Sequence, residues 1–158
     1  MFRKMRRFRQ QISNEDCIDV LVKEKRGVLS MTGEDGYPYG IPMNHWYCEA
    51  DGKLYFHGAK EGYKIDLIQK NNKVCYTVFE KGVAKEGEWA LNVRCVVVFG
   101  RITVVDDVEK VKKICTEVSH KFIDDEEYIH QELENAMHRV MCLELTPDHI
   151  TGKLVKES

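Results

Sequence analysis

The alternation of apolar and polar positions along the chain predicts six strands. Short runs with a two-residue period are typical of strands that bury one face. The predicted strands are residues 27–33, 39–50, 53–59, 73–80, 94–106 and 139–155. Asp35-Gly36 and Asp51-Gly52 separate the first three, and Asp-Gly is a strong signal for a tight hairpin turn. Turns this short predict antiparallel neighbours, so the first three strands are expected to form a meander.

Apolar positions that recur at steps of three and four predict helices between the strands. Ser13, Asp106 and Asp124 are each followed three residues later by an acidic residue, which is typical of a helix start. The last of these helices is expected to end near Met137. The buried faces predicted for the other helices are Cys17, Val20 and Leu21; Tyr63, Leu67 and Ile68; and Val108, Val111, Cys115, Val118 and Phe122. Residues 80–93 are rich in glycine and charge and are predicted to form a loop.

These elements predict a mainly β domain of the α+β class that spans residues 1–158. Six antiparallel strands form a barrel or a curled sheet with flanking helices, because closure removes exposed strand edges. A Rossmann fold is not expected, since the chain has neither a β-α-β alternation nor a G-x-G-x-x-G motif.

The charge balance changes this picture only at the amino terminus. The chain has 26 acidic and 24 basic residues, so no general attraction to nucleic acid is expected. Residues 1–12 form a basic arm, with five basic residues and no acidic one. We expect a solvated tail or an arm at a dimer edge. No apolar run approaches the ~18 residues of a membrane span, and no apolar segment follows the arm to suggest secretion.

The six cysteines do not predict a metal site or a disulfide framework. No two of them form a C-x-x-C pair, and their spacings match no zinc finger or ribbon. Most lie inside apolar runs, where cysteine behaves as a small hydrophobic residue. Free thiols are typical of a reducing cytoplasm.

The segment KLYFHGAKEGYKIDLIQKN, residues 53–71, places lysines and glycines where a strand gives way to a helix. Lys60 and Lys64 are four residues apart with Gly62 between them, and His57 ends the preceding strand. Free N–H groups and the positive end of the helix dipole attract an anion, and glycine allows the anion a close approach. The pattern fits a phosphate site, and it equally fits a solvated lysine face beside a glycine turn.

Three stretches decide between these two interpretations by their resemblance to a known family. PYGIPMNHWY, DGKLYFHGAKEGYKIDLIQKNNKVCYTV and RCVVVFGRI resemble the FMN-binding split barrels related to pyridoxamine phosphate oxidase. The nitroimidazole-resistance (Nim) subfamily is the most similar, over roughly residues 6–155. The resemblance implies a six-stranded split barrel and a homodimer with FMN at its interface.

The resemblance also implies which residues contact the cofactor. By position they are Pro42, Met43, Asn44, His57, Gly58, Ala59, Lys60, Tyr63, Lys64, Arg94, Cys95 and Val96. Residues 42–44 are expected along the flavin ring, and residues 57–59 beside the ring and the ribityl chain. Lys60 and Lys64 are expected at the phosphate. Residues 94–96 are expected to contribute from across the dimer.

Two departures from the family pattern limit the expected chemistry. Relatives commonly have serine at the position of Cys95, and a thiol is a poorer hydrogen-bond partner. Tyr63 stands beside Lys64 where the true pyridoxamine phosphate oxidases have arginine, and their C-terminal substrate segment is not recognisable. Oxidation of pyridoxamine phosphate is therefore not expected.

The histidines supply candidates for proton transfer to an acceptor stacked on the flavin. His57 is the predicted catalytic residue, because an imidazole can give up a proton near neutral pH. His45 is expected to be a hydrogen-bonded histidine on a barrel face, with a catalytic role as the alternative. Trp89 could cover the flavin or anchor a dimer interface.

Three functions therefore remain open. The first is an FMN-dependent oxidoreductase that passes electrons to a small acceptor such as a nitroaromatic compound. The second is a non-catalytic module that stores or senses FMN. The third is a haem-handling split barrel. Nucleic-acid binding through the basic arm is a more distant fourth, and no membrane partner is expected.

Overall fold

The computed structural model describes residues 1–157, in which an antiparallel sheet is flanked by helices. The strands are β1 (Arg26–Thr32), β2 (Pro38–Asn44), β3 (Trp46–Cys48), β4 (Lys53–Ala59), β5 (Lys73–Phe79), β6 (Val83–Ala84), β7 (Leu91–Val105) and β8 (Val140–Glu157). The helices are α1 (Asn14–Lys23), α2 (Tyr63–Lys70), α3 (Val108–His120) and α4 (Glu126–Ala136). One further turn of 3-10 helix spans Phe8–Gln10.

The sheet runs in the order β2-β1-β5-β7-β8-β4-β3, with β6 paired to β7. Every pair is antiparallel. The strands at the two ends of this order, β2 and β3, are consecutive in the chain, with only His45 between them. The chain itself therefore joins the two edges, and the sheet curls into a split barrel. The predicted mainly β class is confirmed, with eight strands in place of six.

The single strand predicted over residues 39–50 is wrong. The chain breaks at His45, so that β2 pairs with β1 while β3 pairs with β4. These two pairs lie at opposite ends of the strand order, so the predicted three-stranded meander does not form. Alternation along a strand reports which side chains are buried, and it carries no information about which strand each segment pairs with.

Several predicted boundaries also move. The loop predicted over residues 80–93 contains β6 and the start of β7. Ser13 caps α1 as predicted, but α3 and α4 are capped by Asp107 and Asp125 rather than by Asp106 and Asp124. Each predicted cap is the first residue of an Asp-Asp pair, and the second aspartate accepts the capping hydrogen bond.

The buried face of α3 is shorter than predicted. Val108 and Phe122 are 59% and 46% exposed, because they lie at or beyond the ends of the helix. Ile114 joins Val111, Cys115 and Val118 on the face that packs against the sheet.

Two hydrophobic clusters hold the fold together. The larger cluster fills the inside of the barrel and includes Leu29, Phe56 and Val98. The smaller cluster lies between α3 and the outer side of β4 and β8, and it includes Tyr55 and Cys142. The split barrel thus has one outer side that is covered by a helix. The candidate site lies at the end of β4, where the chain passes from the sheet into α2.

Candidate functional site

The turn from β4 into α2 leaves its backbone open to approach. Gly62 is the residue before the helix, with φ 137° and ψ 169°. Residues other than glycine rarely adopt this backbone conformation, and nothing lies within 4 Å of the position that a Cβ would take there. Gly62 also has no side chain that could accept a hydrogen bond from the first helical N–H groups. Backbone N–H donors without a side-chain cap and open space therefore lie together at the start of α2.

Lys64 extends from this turn toward the end of β4. Its Nζ lies 3.4 Å from the position of a Cβ built on Gly58, and Met43 Cε lies 4.0 Å from the same point. The fold thus brings together one predicted residue from each of β2, β4 and α2. Lys60 is exposed at the near end of the turn.

Neither of these lysines is neutralised by a neighbouring carboxylate. Lys60 and Lys64 take part in none of the ion pairs formed among residues 1–157. Two cationic groups beside uncapped helical N–H groups form a place where an anion would be held by charge-assisted hydrogen bonds.

Tyr63 fixes the position of this turn relative to the β1–β2 hairpin. Its hydroxyl accepts a hydrogen bond from the backbone N–H of Glu34 at 3.0 Å. Its ring meets the ring of Tyr39 edge-on, with centroids 4.8 Å apart. The side chain remains 40% exposed, so one part of it is anchored and another faces solvent.

His57 lies on the opposite face of β4 from Phe56 and Gly58. It is exposed in the single chain, and partial desolvation nevertheless lowers the pKa of its imidazole below the ordinary value. The ring is therefore mostly neutral at pH 7. Ala59 and Pro42 are exposed and Asn44 is half-buried.

Residues 94–96 lie elsewhere within the chain. The guanidinium of Arg94 donates to Glu80 at 2.9 Å and to Asp19 at 2.8 Å, and Val96 is fully buried in the barrel. Cys95 is half-buried. They lie in β7, in the middle of the strand order, and β7 pairs with β5, β6 and β8 rather than with β2 or β4. Their predicted role across a dimer stays a prediction.

His45 is a structural histidine, as its hydrogen-bonded interpretation predicted. The side chain is fully buried, with Nε2 at 2.7 Å from the carbonyl oxygen of Leu21 and Nδ1 at 2.7 Å from the hydroxyl of Tyr76. Burial, together with the charge of Lys121, lowers its pKa to about 3. Since a carbonyl only accepts, Nε2–H donates to Leu21, and Nδ1 and the carbonyl oxygen of Met43 share the single proton of the Tyr76 hydroxyl.

Sequence reasoning missed the roles of Tyr76 and Lys121 at the interruption between β2 and β3. The hydroxyl of Tyr76 lies 2.9 Å from the carbonyl oxygen of Met43, and Nζ of Lys121 donates to the carbonyl oxygens of Glu24 and His45. Burial lowers the pKa of Lys121 to about 8. A tyrosine at an inward position of β5 was the available signal, because a buried phenol needs a hydrogen-bond partner.

A large cavity has none of the residues 57–64 in its lining. It measures about 700 Å³ and is lined by Phe2, Tyr37, Lys73, Phe99 and Asp148 among others. Phe2 stacks on Phe99 and on the ring of His149, so the start of the basic arm covers part of the outer side of β7 and β8.

Trp89 is 80% exposed in the loop before β7, and both of its predicted interpretations stay open. Trp46 instead stacks on Tyr55, with ring centroids 5.3 Å apart.

Within residues 1–157, none of the helices has the length and apolar character needed to cross a membrane.

The sequence of this chain matches one protein family over most of its length. The family model described as pyridoxamine 5'-phosphate oxidase matches residues 13–154. The chain belongs to this family. Among curated proteins, none matches the sequence significantly.

Solved structures of the same fold include proteins with several described roles. A protein from Bacteroides thetaiotaomicron, provisionally named for 5-nitroimidazole antibiotic resistance, is 23% identical with a TM-score of 0.76, over 93% of this chain and 87% of its own. An FAD-binding protein from Mesorhizobium loti is 21% identical with a TM-score of 0.67, over 92% and 97%. An FAD and heme binding protein from Mycobacterium smegmatis is 19% identical with a TM-score of 0.71, over 92% and 73%. At these identities the likeness shows the fold.

Proposed function

We propose that this protein binds FMN and passes electrons from the reduced flavin to a small acceptor such as a nitroaromatic compound. The observation that carries the proposal is the lysine turn: two unpaired cations beside an uncapped helix start, in a chain of the pyridoxamine 5'-phosphate oxidase family. A phosphate monoester supplies the anionic oxygens that such a turn needs.

The residues present fit the remainder of FMN. Gly58 lies beside Met43 and Lys64, and its lack of a side chain lets the Lys64 ammonium lie close to β4. Residues 42–44 and 57–59 would flank the ring and the ribityl chain. Residues 94–96 would reach the ring from a second copy of the chain, which makes the functional unit a homodimer.

FMN, when bound, supplies the electron transfer, and the chain binds it, orients it and controls protons near it. His57 is the proposed proton-handling group beside the site. Its lowered pKa leaves the imidazole mostly neutral at pH 7, so its capacity to donate a proton increases as the pH falls. A nitro group needs protons as well as electrons, and His57 would help to supply them.

Membership of the pyridoxamine 5'-phosphate oxidase family does not by itself identify the substrate of this protein. Tyr63 occupies the place of the arginine expected in oxidases of pyridoxamine phosphate, and it is already tied to Glu34. The nitroaromatic acceptor is supported by likeness to the Bacteroides protein. The six free cysteines support a cytoplasmic location.

The test begins with the purified protein. Denaturation and mass spectrometry of the released small molecule should identify FMN. FAD would correct the cofactor while keeping a flavin, and a Soret band with no flavin would favour the haem-handling alternative.

Anaerobic incubation with an excess of a nicotinamide electron donor, followed by addition of a nitroimidazole, tests the second half of the proposal. Reoxidation of the flavin with multiple turnovers supports an oxidoreductase. Bound FMN without turnover over a panel of nitro compounds and quinones would leave only the non-catalytic flavin module.

A further inference from the structure

Two of the six cysteines touch each other behind the candidate site. The sulfur atoms of Cys115 on α3 and Cys142 on β8 are 3.8 Å apart. Both side chains are buried, at 5% and 0% exposure, in the smaller hydrophobic cluster. A disulfide needs a sulfur–sulfur distance of about 2.05 Å, so the two atoms would have to approach by roughly 1.8 Å.

We propose that Cys115 and Cys142 form an oxidation site, in which hydrogen peroxide converts the two thiols into a disulfide between α3 and β8. The sulfur of Cys115 attacks one peroxide oxygen, the O–O bond breaks, and a sulfenic acid and water form. The sulfur of Cys142 then attacks the sulfenic sulfur, the S–O bond breaks, and a second water leaves with the remaining proton. Two thiols lose two electrons in total, and one peroxide is reduced to two waters.

The surroundings favour Cys115 as the first thiol to react. The hydrogen bond between the two thiols lowers the pKa of Cys115, and the thiolate is the reactive form. The pKa of Cys142 is instead raised by the same hydrogen bond and by burial. The Cys142 thiol also has the carbonyl oxygen of Val111 as an acceptor at 3.9 Å.

A cavity borders the hydrophobic cluster that holds the pair. Cys48 packs against the same cluster and is half-buried. It lines a cavity of about 380 Å³ together with Trp46, Tyr55 and Ile114, and Ile114 precedes Cys115 in the helix. Peroxide is close to water in size, whereas a protein disulfide is too large to reach buried thiols.

The pair is connected to the candidate site through strand register. Cys142 is paired directly with His57, Met141 with Gly58, and Val140 with Ala59. Closing the disulfide draws β8 toward α3 and shifts the strand on which residues 57–59 depend. We therefore expect oxidation to weaken FMN binding by roughly 5- to 150-fold, the typical range for coupling between two sites. This second step rests on the proposed function.

The experiment uses the reduced, full-length protein treated with hydrogen peroxide. Free thiols counted after denaturation should fall from six to four, and peptide mapping should recover one cross-linked pair that contains Cys115 and Cys142. Cys115→Ser should abolish the cross-link. Cys75→Ser, which removes a half-buried thiol on a different strand, should leave it unchanged.

Retention of all six thiols, a disulfide between other cysteines, or over-oxidation of both residues without a cross-link would overturn the oxidation site. The wild-type peptide map is decisive even if a serine variant folds poorly. If the cross-link forms and FMN affinity is unchanged, the coupling is wrong. If the reduced protein binds no FMN at all, the proposed function fails while the cross-link is still judged by the map.

Discussion

The helices α2 and α3 each follow a strand of the same sheet, and their first turns are built in opposite ways. At α3, the Asp107 side chain accepts a hydrogen bond from the N–H of Lys110 at 2.8 Å. The ammonium of Lys110 in turn pairs with Glu144 at 2.6 Å. At α2, the preceding residue is Gly62, and Lys64 has no carboxylate partner in the described chain.

The start of α3 is thus capped within the folded chain, because one of its first N–H groups and its cation already have anionic partners. The start of α2 has the same two kinds of positive group and lacks both anionic partners. A folded protein gains stability from a cap and an ion pair, so their absence at α2 is a cost to stability. That cost is offset if a ligand supplies the missing anion.

The largest expected effect comes from removing both cations at α2. Lys60→Ala with Lys64→Ala should weaken FMN binding by about 1.5–3 kcal/mol per lysine, which is roughly 10- to 150-fold each, since charge-assisted hydrogen bonds are lost. Fluorescence titration of FMN against the apoprotein measures this.

The matched control is Lys112→Ala with Lys113→Ala, two exposed lysines in the first turns of α3. This pair should leave FMN affinity unchanged. Equal loss in both double variants would mean that only overall charge matters, and unchanged affinity in both would mean that the phosphate lies elsewhere.

The second effect concerns the ion pair that completes α3. Burial raises the pKa of Glu144, but hydrogen bonds from Lys110 and Lys53 outweigh it and lower the pKa to about 2 from 4.5. A carboxyl with a lowered folded-state pKa stabilises the protein above its unfolded pKa and loses that contribution as the pH falls.

Between about pH 4.5 and pH 2 the wild type should therefore lose on the order of 2–3 kcal/mol that Glu144→Gln does not lose. Urea unfolding at several pH values gives both curves. Parallel curves for wild type and variant would show that Glu144 is not the group responsible.

Gly62→Ala tests the backbone of the α2 turn. A φ of 137° lies in a region that residues other than glycine rarely adopt, so the substitution should lower the free energy of unfolding by about 1–3 kcal/mol. It should also weaken FMN binding, because the turn must change shape. The control is Gly36→Ala, at a positive φ in the β1–β2 hairpin. This variant should lower stability, and the affinity of its folded fraction for FMN should be unchanged.

The smallest effect is expected from Asp107→Ala at α3. Loss of the cap should lower the free energy of unfolding by about 1 kcal/mol, measured by urea denaturation, with no change in FMN affinity. A clear loss of affinity in this variant would contradict the division between a structural and a ligand-binding helix start.

Local signals predicted much of the fold and of the α2 turn. Ser13, the Asp-Gly turns and the glycine-lysine segment act through neighbours a few residues away, so the sequence displays them directly. The same signals placed two caps one residue early, because adjacent aspartates are equivalent in a pattern and differ only in backbone geometry. Identity of the cofactor residues came from the family resemblance, and their contact with FMN stays a prediction.

The features that sequence reasoning missed depend on distant partners. The break at His45 requires Leu21, Tyr76 and Lys121, which lie 24, 31 and 76 residues away. No periodicity reports such pairings. Likewise, Arg94 was expected at the flavin, while within the chain its charge is taken up by Asp19 and Glu80.

The single-residue connection between β2 and β3 constrains how the length of this chain can vary. Side chains alternate between faces, so an insertion or deletion of one residue at His45 would turn Tyr47 out of the core and Trp46 and Cys48 into it. The exposed residues 85–89 before β7 have no such constraint. Length variation among homologous chains should therefore accumulate there and be almost absent at position 45.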